Sequence, residues 1–159
     1  MQPGTSASHH PLEAPTAEIL YEAELNITVA TDFGVPLDAI LSGSQPIPPQ
    51  GARWDVSFAG PVRGQLDGTV EGVDYLRPRA DGRMELDLHG VVTLTDGRTL
   101  AWRAEVVATP RPGTPLVDIT EMIRFDWAHG DMQWLHGKRI SADGVVDLAK
   151  GTIRATAYA

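Results

Sequence analysis

Along most of this chain apolar and polar residues alternate one for one. Ile19, Tyr21, Ala23, Leu25, Ile27 and Val29 fall on one side, and Glu18, Leu20, Glu22, Glu24, Asn26 and Thr28, mostly polar, on the other. A period of two is the pattern of a strand with one buried face. It returns at Trp54, Val56 and Phe58, then at Val62, Gly64, Leu66, Gly68 and Val70. It returns again at Met84, Leu86, Leu88, Gly90, Val92 and Leu94, and at Leu100, Trp102, Ala104 and Val106, with the hairpin signal Asp96-Gly97 between these two runs. A run from Val117 to Trp127 and a last one near Thr152–Tyr158 follow. One segment, PLDAILSGSQPIPPQG at 36–51, breaks the rule. It predicts a short helical turn at Leu37–Leu41, after which its prolines impose an extended loop.

About eight half-buried strands joined by short turns predict an all-β fold. The expected architecture is a single antiparallel β-barrel over residues 18–159, lipocalin-like or cyclase-like in outline and wide enough for a small ligand. A two-sheet β-sandwich is the alternative. Residues 1–17, rich in Pro, Ser, Thr, Ala and His and without periodicity, read as a flexible N-terminal tail. Glycines 64, 68 and 90 sit on apolar strand faces, which favours tightly curved sheet or room for a ligand.

Composition narrows the function. The 159 residues suit one domain, and 42 % of them are hydrophobic. The net charge of −8 and the scattered Lys and Arg disfavour nucleic acid and anionic membrane surfaces as partners. No apolar run approaches the length of a membrane span. The first residues lack an apolar signal core, so a cytoplasmic location is the default. With no cysteine there is neither a disulfide nor a thiolate metal site. The chain has no GxGxxG, Walker loop, HExxH, GxSxG or CxxC, so no cofactor and no metal is expected. His9-His10 reads as a solvated pair, and Asp126, His129 and Asp131 as a solvated turn. An acidic coat over exposed strands permits a homo-oligomer without demanding one.

The candidate chemistry centres on Glu121, a carboxylate in the apolar series Val117, Ile119, Ile123, Phe125 and Trp127. A hairpin turn at Ala128–Asp131 would set Phe125 near Trp134, Ile123 near His136 and Glu121 near Lys138. Glu121, His136 and Lys138 would then share one face, at cross-strand distances of about 4.5–8 Å. A buried carboxylate is costly unless partnered, and a carboxylate beside an imidazole in an apolar cavity is suited to moving protons. Glu121 or His136 is the candidate base, and Asp74 or Tyr75 the candidate acid or orienting group. Trp54, Trp102, Trp127 and Trp134, with Phe58, Phe125 and Tyr21, are candidate substrate-binding residues, and Lys138 lies beside them. The plain structural reading is that the aromatics only fill the barrel and that Glu121–Lys138 is an ion pair at its rim. A slip of one residue in register would reverse every facing. The strip Asp87, His89, Arg103 and Glu105 reads as outer surface.

The order of LYEAELNITV, RWDVSFAGPVRGQLDGTVEGVDYLRPRADGRMELDLHGVVTLTDGRTL and MQWLHGKRI resembles the bacterial domain of unknown function 3237 family (DUF3237). The carriers are Phe58-Ala59-Gly60-Pro61 with Gly64, Gly72-Val73-Asp74, Asp81-Gly82, Asp96-Gly97 and Trp134-Leu135. The resemblance spans most of residues 19–158 and implies a small β-barrel with an internal cavity. It supplies no shared activity, cofactor or catalytic residue, although Asp74 matches a recurrent polar position. This chain departs from the family with Asp55-Val56-Ser57 before the Phe, His136 after Trp-Leu, and His89 near a frequent Arg.

Three functions fit these residues. The first is a cofactor-independent enzyme acting by acid–base chemistry, of lyase, isomerase or cyclase type, on a small hydrophobic or aromatic oxygenated molecule. The second is a barrel that only binds such a molecule. The third is a structural β-domain with a filled interior that oligomerises through a sheet face. A cavity in which two or more titratable groups converge would favour the first.

Overall fold

The computed structural model describes residues 17–79, 83–127 and 130–159. Eight antiparallel strands close into one barrel in sequence order, β1(Ile19–Asp32), β2(Trp54–Gly64), β3(Gly68–Pro78), β4(Met84–Leu94), β5(Thr99–Pro110), β6(Leu116–Trp127), β7(Ile140–Asp147) and β8(Thr152–Tyr158), with β8 pairing back onto β1. The barrel is thus the architecture adopted, not the sandwich. Closure gives every strand of the ring a neighbour on both sides along most of its length. The predicted turn forms as helix α1(Leu37–Leu41). The expected tail lies outside the described residues except for Ala17.

Inward positions follow the alternation closely. On β6, Ile119, Glu121, Ile123 and Phe125 are buried, while Met122, Arg124 and Asp126 are exposed. The strip Asp87, His89, Arg103 and Glu105 faces out, with His89 Nε2 3.2 Å from Asp87. The phase changes where strands bulge. β1 shifts register between Ile19 and Tyr21 and again between Ile27 and Val29. An extra residue switches the face that follows it, so Leu20 is fully buried whereas Ile19 and Val29 are exposed.

The two ends of the barrel differ. Where β1 begins, Leu20, Leu66, Leu100, Leu135 and Ile140 are almost completely buried and seal the ring. Where β1 ends, Leu86, Ala108, Val117, Val146 and Ile153 are only partly covered, and this end is the mouth. Trp54 is buried beside the mouth, and its indole N–H donates to the Val35 carbonyl at 2.6 Å, tying the long β1–β2 loop down.

The connection between β6 and β7 overturns one expectation. Residues 132–140 do not return as a strand directly after a tight turn. Gly130–Leu135 form a 3-10 helix, and β7 starts at Ile140, opposite Ile123. Met132 and Leu135 are buried three apart, the spacing of one face of a 3-10 helix, so the segment seals the closed end by packing. Of the expected turn, Ala128 and His129 lie outside the described residues.

The interior glycines serve the aromatic core. One rung of the barrel runs Phe58, Gly72, Gly90, Trp102 and Phe125. The Phe58 and Trp102 rings meet edge to face at 6.0 Å, filling the space above the two glycines. A methyl at Gly72 would lie 2.6 Å from Phe58 Cζ and 2.5 Å from the His89 carbonyl oxygen. Gly64 and Gly68 instead allow strands to touch: a Cβ at Gly68 would lie against the backbone of Thr93 and Leu94. Gly72→Ala is therefore expected to lower stability by about 1–3 kcal/mol, read by urea denaturation; unchanged stability would show that the aromatic pair does not require this gap.

Candidate active site

The space left inside the barrel is a cavity of about 60 Å³ whose walls come from all eight strands. It lies between the sealed end and the mouth. Its walls are apolar except for three acids in the chemical sense: Asp74 from β3, Glu121 from β6 and Tyr21 from β1. β3 and β6 stand three steps apart in a ring of eight, so the two carboxyls approach the cavity from opposing walls. Asp74 pairs in register with Val56 and Leu88, and Glu121 with Val106 and Ala142. Each carboxyl is thereby flanked by hydrocarbon.

Both side chains are nearly removed from water, with 9 % of Asp74 and 5 % of Glu121 exposed. Among the described residues neither has a cationic partner, and Asp74 Oδ1 has no hydrogen-bond partner. A buried carboxyl in that condition favours its neutral form. Burial raises Glu121 to about 7. Burial likewise raises Asp74 to about 7; a backbone hydrogen bond at Asp87 opposes the shift, and the charges of Asp87 and Glu121 add to it. Tyr21 is pushed up by burial and by the Glu121 charge, so it keeps its proton. The Trp102 indole N–H donates to the Tyr21 hydroxyl oxygen at 3.2 Å. That bond occupies a lone pair on oxygen and leaves the Tyr21 O–H free to donate.

Of the aromatic residues expected to hold a substrate, Tyr21, Phe58 and Trp102 line this cavity. Phe125 is buried next to Trp102 in register but does not reach the cavity wall. Trp54 is likewise buried outside it. Trp127 ends β6, and its side chain lies outside the described residues. Trp134 is 41 % exposed on the 3-10 helix, with the Lys138 ammonium over its ring at 5.8 Å.

His136 and Lys138 are exposed and do not meet Glu121. The pairing that would have joined them fails because the chain spends 130–139 covering the barrel end before β7 begins. Glu121 consequently faces Ala142, not Lys138, and the rim ion pair does not form. Tyr75 also leaves the site: it follows Asp74 on β3, so alternation turns it outward. There its ring contacts His89 edge to face at 5.7 Å and the Arg53 guanidinium at 5.1 Å. Asp131 pairs with Arg98, and Asp126 lies 3.7 Å from Arg103. Among the described residues no cluster suits a metal ion, and no helix is long and apolar enough to cross a membrane.

The raised carboxyls make a prediction about pH. In the unfolded chain Asp and Glu titrate near 4; in the folded chain these two titrate at about 7. Folding therefore takes up protons between those values. The stabilisation from proton uptake is complete below about pH 4 and is lost as pH rises to about 7. The Asp74→Asn/Glu121→Gln double variant should thus gain stability relative to wild type between pH 5 and pH 8, as urea denaturation at both values would show. Parallel changes in the two proteins would mean that the pair ionises as it does in water.

No protein-family model and no curated protein matches this chain. Solved structures do. A protein of unknown function from Clostridium acetobutylicum superimposes with a TM-score of 0.67 at 15 % identity, over 89 % of this chain and 95 % of that one. A β-barrel-like protein from Acinetobacter baumannii gives 0.63 at 16 %, over 94 % and 98 %. A protein from Penicillium herquei described as an enzyme gives 0.55 at 19 %, over 92 % and 98 %. At these identities the likeness is one of fold.

Proposed function

We propose that this protein is an acid–base enzyme of lyase, isomerase or cyclase type that acts on a small hydrophobic or aromatic oxygenated molecule. The observation that carries this reading is the pair Asp74 and Glu121, two buried carboxyls without cationic partners on opposite walls of one cavity. Retaining both in an apolar interior opposes folding, and groups poised near neutrality suit proton transfer. With both carboxyls raised to about 7, the singly protonated pair is populated near neutrality and offers one base and one acid to the same space.

Glu121, when ionised, takes a proton from a carbon or hydroxyl of the substrate. Asp74, when neutral, donates to the oxygen on which charge develops. The free O–H of Tyr21 adds a second donor, and Phe58 and Trp102 hold the ring or chain beside the reacting atoms. A cavity of about 60 Å³ takes only the reacting end of such a molecule. The remainder lies in the mouth, against Leu86, Val117, Val146 and Ile153. The resemblance to the DUF3237 family belongs to this reading, and the Penicillium herquei enzyme is compatible with it.

A barrel that binds without catalysis is the second reading, favoured by the mostly apolar cavity wall. Exchange of the α-proton of aryl ketones in D2O, followed by NMR, separates the two. Catalysed exchange is expected in the wild type, reduced about 100-fold or more in Glu121→Gln and to a lesser degree in Asp74→Asn, with both variants folded by circular dichroism. Exchange that is equal in all three proteins would leave only the binding barrel.

A further inference from the structure

The outer wall of the barrel carries a second, chemically opposite feature. β6 runs to Trp127, but it pairs with β7 only as far as Ile123 and Ile140. Beyond that point the chain diverts through the 3-10 helix, and the edge of β6 at residues 124–127 that faces β7 has no strand partner among the described residues. The diversion leaves a groove of about 570 Å³ between the end of β6 and residues 135–140. Arg103, Arg124, Lys138 and Arg139 line it with His136, against the carboxylates of Glu105 and Asp126. In a chain with 21 acidic and 13 basic residues, four of the cations gather here around two carboxylates.

Two features of the groove have no structural benefit. Arg103 and Arg124 are direct cross-strand partners on the outer face; like charges in that relation destabilise a sheet. Their neutralisation is also poor. Arg103 has one long contact, 3.7 Å to Asp126. Among the described residues Arg124, Lys138 and Arg139 have no carboxylate within ion-pair distance. Some arginines elsewhere on the surface find close partners, as Arg53 does with Asp55 at 2.7 Å and Arg111 with Asp118 at 2.6 Å, while Arg154 reaches Glu24 only at 3.9 Å. Among the described residues only Arg103 of these four cations has a carboxylate within ion-pair distance, although the chain as a whole is acidic.

We infer that this groove is a binding site for a small dianionic molecule, one bearing a phosphate or a pair of carboxylates. An oxyanion placed between Arg103 and Arg124 would turn their repulsion into two charge-assisted contacts, and guanidinium forks match such groups in geometry. Lys138 and Arg139 close the other side of the groove. A volume of about 570 Å³ lies within the range of small-molecule sites. The site is separate from the interior, whose carboxyls would repel an anion, so the two pockets take ligands of opposite character.

Calorimetric titration at constant ionic strength tests this with inorganic phosphate, phenyl phosphate and succinate. The first two against the third distinguish a phosphate site from a dicarboxylate site; phenyl phosphate against inorganic phosphate shows whether an organic body adds affinity. Saturable one-to-one binding of at least one probe is expected, weakened about tenfold or more in Arg124→Gln/Arg139→Gln. It should be unchanged in Arg154→Gln, a cation outside the groove that lies 3.9 Å from Glu24. It should also be unchanged in Glu121→Gln, so failure here is independent of failure of the acid–base reading. The groove variant should melt no lower than wild type, since it removes a like-charge pair. No saturable binding up to about 10 mM of any probe, or equal weakening by Arg154→Gln, would overturn the inference.

Discussion

Closure of the strand ring is the constraint on which the remaining structure depends. Once β8 pairs with β1, every inward side chain must share a fixed, narrow interior. The Phe58 ring then requires a glycine at position 72, and the close approach of β3 requires one at position 90. Nearly complete burial at one end leaves the other end as the looser part of the core. The cavity is the residue of that packing, and whatever polar group points into it has exchanged water for hydrocarbon.

That setting gives Asp74 and Glu121 their character. On a surface strand either would be an ordinary carboxylate. Inside the ring the same groups lack both water and a cation, and their ionisation moves toward neutrality. Tyr21 completes the set, held by the Trp102 indole with its own proton free. The burial that opposes folding at neutral pH is therefore also the origin of the proposed reactivity. This follows a general tendency for strongly perturbed titratable groups to mark functional sites.

The wall and the interior divide charge between them. Among the described residues the charged groups buried in the interior are the carboxyls of Asp74 and Glu121, whereas the groove beside β6 gathers four cations of which Arg103 alone has an ion-pair partner. The groove arises from a local event, the early end of the β6–β7 ladder. The diverted segment buries Met132 and Leu135 to seal the barrel and sends His136, Lys138 and Arg139 to the outside.

Alternation determined the fold class, the approximate number of strands and the inward face of β6, because side chains on a strand must alternate and eight amphipathic strands need a shared core; helix α1 was legible instead where the pattern breaks, and the single run read across Val62–Val70 is divided by the turn between β2 and β3. Alternation also singled out Glu121 as a carboxylate among apolar neighbours, whereas Asp74 entered as a candidate through its match to a recurrent polar position and not through alternation. It did not identify the pairing of these two, since a residue on β3 and one on β6 meet only when the ring closes. Nor could it place His136, Lys138 and Trp134, whose alternation reads as a strand although a 3-10 helix and loop are formed. There the gain from covering an open barrel end outweighs local period-two pattern, and tertiary packing decides. Tyr75 shows the opposite case: its outward direction was implicit in the inward direction of Asp74, because adjacent residues of a strand cannot face the same side.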